Sequence, residues 1–265
     1  MQTLMQEISQ AKLKKWTRLS DPKFRWKEGI FLAEGVKVIE ELSTADWEIE
    51  ALGVLPDKAR YWQDAAAKIA GHVPTYRLNR MQWEKVTQDR EPEGILAIVK
   101  RKPEQNLLAR FRQSNSHLLI LDRVTNPNNM GALLRSANWF GFQYILMGSG
   151  CVDYAHPKVV RTSMGSIFHL MFMSDVDLSA ILAVIRETHY LIGSDVRTGK
   201  RPHPVGRKTA LLLGSESHGI GEGLLTQTDE RWRIPGETQA DSLSLPQAGS
   251  IMMYEAAKRE VTGDM

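Results

Sequence analysis

Three stretches of the 265-residue chain concentrate residue types that hold polar ligands: TNPNNMGALLR (125–135), LLLGSESHGIGEG (211–223) and IPGETQADSLSLPQAGS (234–250). Each is rich in Gly, amide and hydroxyl groups and lies where an apolar run gives out. In open α/β sheets, ligands gather at such carboxyl ends of strands. Several chemistries are excluded by spacing. Gly219, Gly221 and Gly223 are wrongly spaced for a dinucleotide fingerprint and follow a late strand. A P-loop would end in Gly-Lys-Ser/Thr, and none occurs. The seven histidines show no ligand spacing, so no metal is expected. Ser215, His218 and Asp195 supply the types of a hydrolytic triad without the G-x-S-x-G elbow.

The elements that must position these loops alternate. HLLILDRV (117–124), YILMG (144–148), IFHLMFM (167–173), YLIGSD (190–195), TALLLGS (209–215) and RWRIP (231–235) read as short buried strands. Between them, Met130, Leu133, Leu134, Ala137 and Phe140 recur at helical spacing, and Gly141 ends that helix. VVRTSMGS (159–166) and DLSAILAVIRETH (177–189) also read as helices, and a last one follows Pro246. Such alternation implies an α/β fold with a mainly parallel sheet covered on both faces. Residues 1–102 differ in texture: they are charge-rich, with short apolar segments such as IFLAEGVKVIEEL (30–42) and GILAIVKR (94–101). Two α/β domains are expected, 1–102 and 117–265, joined by the polar linker 103–116.

Composition sets outer bounds. A net charge of +3 permits a polyanionic partner without requiring one. The lone Cys151 precludes an internal disulfide, so a reducing, cytoplasmic setting is expected, with Cys151 a small buried hydrophobe. No apolar run approaches the ~20 residues that span a membrane, and the N-terminus lacks a secretory signal's apolar centre.

The three loop sequences, with YEAAKR (254–259), resemble the three motifs of the SpoU family, knotted methyltransferases that use S-adenosylmethionine to methylate a ribose 2′-hydroxyl in RNA. PKVVRTSMGSIFHL (157–170) fits between the first and second motifs. FRWKEGIFLAEGVKVIEEL (24–42) is similar to the start of the family's N-terminal substrate-binding domain, whose fold resembles a small ribosomal protein. The resemblance implies a C-terminal trefoil knot, an exception to the rule that chains stay unknotted, and a homodimer. It also implies a cofactor pocket lined by Gly214, Ile234 and Leu243, chiefly through backbone groups.

By the same resemblance, Asn129, Arg135, Glu216, Ser242 and Ser244 fall on the catalytic positions. From residue types alone, Asn129 could equally be a helix cap, Arg135 an interface ion pair, and Glu216 a loop fastener or a partner of Arg135. Arginine is a poor base because its pKa exceeds ~12, so Arg135 is expected to orient the hydroxyl and stabilise its developing charge. The family typically has Ser-Leu-Asn where this chain has Ser242-Leu243-Ser244, and Pro246 and Gln247 are also atypical. On the partner side, residues 1–30 hold Lys12, Lys14, Lys15, Arg18, Lys23, Arg25 and Lys27 against three acids, with Trp16, Phe24 and Trp26 interleaved. Lys14, Lys15, Arg18, Lys23, Arg25 and Lys27 are the expected RNA contacts, the aromatics possible stacking surfaces. Ribosomal RNA is the expected substrate. A tRNA methyltransferase, or an RNA-binding assembly factor on the same fold with little activity, is the alternative.

Overall fold

The structure, a computed structural model, describes residues 5–69, 73–87, 91–103, 108–237 and 243–258. Two compact units emerge, Met1–Pro103 with Asp153–Phe168, and Glu104–Val152 with His169–Met265.

In the first unit, β1 (Gln6–Glu7), β2 (Ile30–Glu34), β3 (Ile49–Val54), β4 (Thr75–Arg77) and β5 (Ile95–Lys100) form a sheet in the order β1-β4-β3-β5-β2. β5 runs antiparallel to both neighbours. Trp16 and Trp83, from helices Gln10–Thr17 and Arg80–Val86, are fully buried in its core. The basic helix Pro22–Glu28 is capped by Asp21, whose carboxylate accepts from Lys23 N at 2.9 Å, and ends at Gly29 with φ +63°. That turn needs the left-handed region, which glycine enters without a Cβ penalty.

Arg25 corrects the expectation of an exposed basic strip. It is fully buried: Nε donates to Asp153 at 3.0 Å, and Nη1 donates to the carbonyls of Leu19 and Ser20 at 2.8 and 3.0 Å. Arg101 pairs with both oxygens of Asp153 at 2.9 and 3.1 Å. A buried guanidinium needs such a partner, because leaving it unpaired costs several kcal/mol, on the order of 3–5. The unit therefore takes its counterion from residues 153–168, between the first and second motifs. Phe168 of that segment packs against Phe31 and Trp47, and its carbonyl accepts from Trp47 Nε1 at 2.9 Å. Trp16 and Phe24 are core residues, while Trp26 stays half exposed with the Arg101 guanidinium over its ring at 3.8 Å.

In the second unit, β6 (Leu118–Leu121), β7 (Tyr144–Gly148), β8 (Met171–Val176), β9 (Tyr190–Ser194), β10 (Thr209–Leu213) and β11 (Glu230–Trp232) form a wholly parallel sheet in the order β11-β9-β10-β6-β7-β8. The expected parallel α/β architecture is present. β6 and β10 are buried throughout, as a sheet covered on both faces requires. The strand expected at 167–173 instead runs from Met171 to Val176, because Met164 and Gly165 both take positive φ and a tight helical turn, Ser166–His169, follows. Helix Pro127–Trp139 packs against helix Leu245–Ala257. A Cβ on Gly249 would lie 2.6 Å from Leu133 Cδ2 and 2.9 Å from Leu213 Cδ1, so a larger residue there would require both leucine methyls to shift. β7 and β8 lie on one side of β6, and β10, β9 and β11 on the other, so the strand order reverses at the β6–β10 pair, where ligands characteristically bind.

Candidate functional site

Leu121 and Leu213 are register partners, so the first and second motif loops leave the sheet side by side, and Asp122 N donates to Leu213 O at 2.9 Å. The three asparagines of the first loop divide the work. Asn126 is the helix cap, its Oδ1 accepting from the backbone N–H groups of Asn128 and Asn129 at 2.9 and 3.4 Å. Pro127 follows at the first helical turn, where its missing N–H costs nothing. Asn129 is thereby released from capping, and its Nδ2 donates to Glu216 Oε1 of the second loop. Glu216 acts as a fastener between the two motifs.

Arg135 lies six residues further along the helix, which turns it about 120° around the axis from Asn129 at ~3.6 residues per turn. The side chain is exposed and, among the described residues, makes no hydrogen bond or ion pair. Asn129 and Glu216 are brought together; Arg135 is not joined to either.

The second loop closes on itself. Gly219 N donates to Ser215 O at 2.9 Å, and His218 N to Ser215 Oγ at 3.2 Å. Gly214, buried at the end of β10, has no room for a side chain: a Cβ would run into the backbone of Gly219 and lie 2.5 Å from Ile220 N. No triad forms here, because the His218 ring meets Ser217, while Asp195 accepts from Arg197 N and Thr198.

Sequence reasoning missed the pair Asp122–Arg123. Arg123 takes φ +54°, pairs with the nearly buried Asp122 at 2.9 Å and reaches Gly219 O at 3.4 Å, tying the first loop to the second. Its only signal was an acid and an arginine directly after a strand. Nearby, Cys151 Sγ donates to Leu121 O at 3.3 Å, and burial pushes its thiol up to about 11, which makes it inert.

In the third motif, Ile234 is half-buried just beyond β11, and Leu243 leaves 45% of its surface exposed. Ser242 lies outside the described residues. Ser244 caps the last helix, where Gln247 Oε1 accepts from Ser244 N at 3.3 Å and Pro246 sits in the first turn. The atypical Ser244, Pro246 and Gln247 thus make a sound helix start.

These residues suit an adenosyl cofactor. Ile234 and the uncovered Leu243 offer apolar surface for a planar base, and the backbone-lined Gly214 loop offers hydrogen-bonding groups, the make-up of small-ligand sites.

In the first unit, Lys14, Arg18, Lys23 and Lys27 are exposed, with the Arg18 guanidinium over the Phe24 ring at 4.0 Å. Lys15 is half-buried and lies 3.4 Å from Glu28 and 3.9 Å from Glu50, so part of its charge is spent locally.

Comparison with known proteins matches residues 116–254 to the SpoU rRNA Methylase family and residues 10–97 to the MRM3-like substrate binding domain. The chain is 28% identical over 255 residues to the 23S rRNA (guanosine(2553)-2′-O)-methyltransferase RlmP of Bacillus subtilis, covering 94% of this chain and 98% of that one. It is 25% identical to the 23S rRNA (uridine(2479)-2′-O)-methyltransferase of Streptomyces viridochromogenes, covering 96% and 91%. Among solved structures, an RNA 2′-O ribose methyltransferase superposes with a TM-score of 0.79 at 26% identity, covering 95% and 96%. The SpoU methyltransferase AviRb of S. viridochromogenes, in complex with AdoMet, shares the fold with a TM-score of 0.84 at 23% identity, covering 97% and 100%.

Proposed function

The chain belongs to the SpoU rRNA methylase family, and from that premise we propose that it uses S-adenosylmethionine to methylate a ribose 2′-hydroxyl of ribosomal RNA, with Arg135 positioning the hydroxyl. The observation that carries the reading is the fastening of the first and second motifs by Asn129 and Glu216, with the Arg135 side chain exposed on the same helix.

When bound, S-adenosylmethionine supplies an electrophilic methyl group on a sulfonium. Gly214, Ile234 and Leu243 hold it through backbone groups and apolar contact. The Asn129–Glu216 bond and the Arg123–Gly219 contact fix the neighbouring loops, so alignment is set before substrate arrives. Arg135 keeps its proton and presents a planar fork of donors to the ribose oxygen and adjacent phosphate. Ser242 and Ser244 complete the set from the third motif. Residues 1–102 form the RNA-holding domain, with Lys14, Arg18, Lys23 and Lys27 on its basic surface and Lys15 at its edge. The enzyme works where the ribosomal RNA is, in the cytoplasm.

Two structural readings accompany this one. Trp139 (84% exposed), Ile251 and Tyr254 leave apolar surface on helices Pro127–Trp139 and Leu245–Ala257. Large apolar side chains exposed on two packed helices suit a partner surface, and this face serves a homodimer. A monomer mass by sedimentation equilibrium at micromolar concentration would remove that assignment. The backbone carries the family's trefoil knot, a reading that rests on the family match over residues 116–254; an experimental trace that pulled straight from both ends would disprove it.

The test of function is labelled-methyl transfer to rRNA from a strain lacking the gene. Arg135→Ala is expected to lower transfer by ~10²–10³, the range for losing a donor to a developing oxyanion, with cofactor affinity unchanged by calorimetry. Full activity in the variant would refute the assigned role.

A further inference from the structure

A cleft of about 400 Å³ opens at the end of the second unit's sheet opposite the motif loops. Asn115 and His117 line it from just before β6, Arg207 and Lys208 from just before β10, and Lys258 from the end of helix Leu245–Ala257. β10 spans five residues, so the two ends of the sheet stand about 13 Å apart at ~3.3 Å per step. The cleft is therefore separate from the proposed methyl-transfer site.

Its chemistry is one-sided. Among the described residues, no carboxylate lines the cleft, while three cations do. Arg207 rests its guanidinium on the Tyr190 ring at 4.1 Å and has no carboxylate partner among the described residues, nor has Lys208. Lys258 shares its charge with Glu255 at 2.7 Å. Among the described residues two cations thus have no carboxylate partner, and the helix C-terminus offsets only about half a charge. His117 adds a directional donor. Its Nδ1 accepts from Thr209 N at 3.2 Å, which places the ring proton on Nε2, and the ring is held by stacking on Phe142 at 4.9 Å. A cation or an apolar ligand has nothing to gain here, whereas an oxyanion meets a planar fork, an ammonium and an imidazole N–H. The volume falls within the ~300–1,000 Å³ of small-ligand sites.

We propose that the cleft bounded by His117, Arg207, Lys208 and Lys258 binds a backbone phosphate of the RNA substrate, remote from the ribose that is methylated. The proposal rests on the reading that the chain acts on RNA, since a polyanion long enough to reach both sheet ends supplies the phosphate.

The experiment measures binding of a fluorescein-labelled, mixed-sequence single-stranded RNA by anisotropy across a KCl series. Each phosphate contact contributes ~0.7 to the slope of log K against log salt for single strands. The double variant Arg207→Gln/Lys208→Gln is expected to flatten that slope by about 0.7 and to weaken binding at low salt, with cofactor affinity and thermal midpoint unchanged. Arg207→Lys alone should retain the slope, because charge rather than shape sets it. An unchanged slope in the double variant overturns the proposal. In a second arm, inorganic phosphate is titrated against the free protein while the His117 imidazole is followed by NMR. A shift there with an unchanged RNA slope would mark a free-anion site and equally overturn it. Wild-type methyl transfer, run in parallel, keeps the two readings apart: RNA binding with a variant-sensitive slope but no transfer defeats the proposed reaction and leaves this site standing.

Discussion

Gly214 and Gly219 stand five residues apart in one loop, yet replacing each with alanine should fail for different reasons. At Gly214 the new Cβ would lie 2.5 Å from Ile220 N and clash with the Gly219 backbone, where 3.4–4 Å is ordinary contact. The obstacle is main chain, so relief requires the 215–220 segment to move by roughly 1 Å, a displacement that can cost ~10²-fold in rate when it falls on reacting groups. Overpacking of this kind also costs about 1–3 kcal/mol in stability. Glu216 rides on that segment, so its bond to Asn129 should open as well. At Gly219 a Cβ meets open space, and only φ +62° resists substitution, a strain of about 1–2 kcal/mol. The assay is kcat/KM for methyl transfer, with cofactor Kd and thermal midpoint for both variants. Gly214→Ala should lose about 100-fold in kcat/KM and weaken cofactor binding; Gly219→Ala should stay within about tenfold, the equivalent of ~1.4 kcal/mol. Equal behaviour of the two variants would refute the steric argument.

Arg25→Met should destabilise the chain by about 1–3 kcal/mol, read from urea unfolding, because the carbonyls of Leu19 and Ser20 lose their donor while Asp153 keeps Arg101. At conditions where the variant is folded, RNA affinity should match wild type; a selective loss of affinity would return Arg25 to the RNA surface. Glu230 supplies a pH test. Burial alone would raise its pKa, but hydrogen bonds from His203, Tyr190, Trp232 and Lys200 overcome that and hold it at about 2. A carboxylate depressed on folding stabilises above its unfolded value near 4.5 and loses that contribution as pH falls toward 2. The interval is worth at most about 3.5 kcal/mol at ~1.4 kcal/mol per pH unit. Glu230→Gln should flatten stability between those limits, and an unchanged acid limb would count against the network.

Much of the second unit was legible because its signals are local. The run TALLLGS reads as a buried strand with a loop at its end, and β10 occupies Thr209–Leu213 with Gly214 directly after it. What escaped depended on partners far away in sequence. Nothing near Arg25 announces that Asp153 will neutralise it, so a basic run with interleaved aromatics read as an RNA strip although Trp16, Phe24 and Arg25 are buried. The cap on helix Pro127–Trp139 is Asn126, a one-turn distinction that frees Asn129 for Glu216. The strand at 171–176 was placed too early because the run IFHLMFM is uniformly apolar, and only the positive φ of Met164 and Gly165 shows where it yields to a turn.

Residues 153–168 have a consequence for how such chains can be recombined. The first unit borrows sixteen residues from the middle of the methylase sequence, among them the acid that neutralises Arg25 and Arg101. A module exchange at the 103–116 linker would hand the new host two orphaned guanidiniums and leave their counterion behind. Inheritance of the first unit is thus tied to residues 153–168 of the methylase sequence, and the two must drift together.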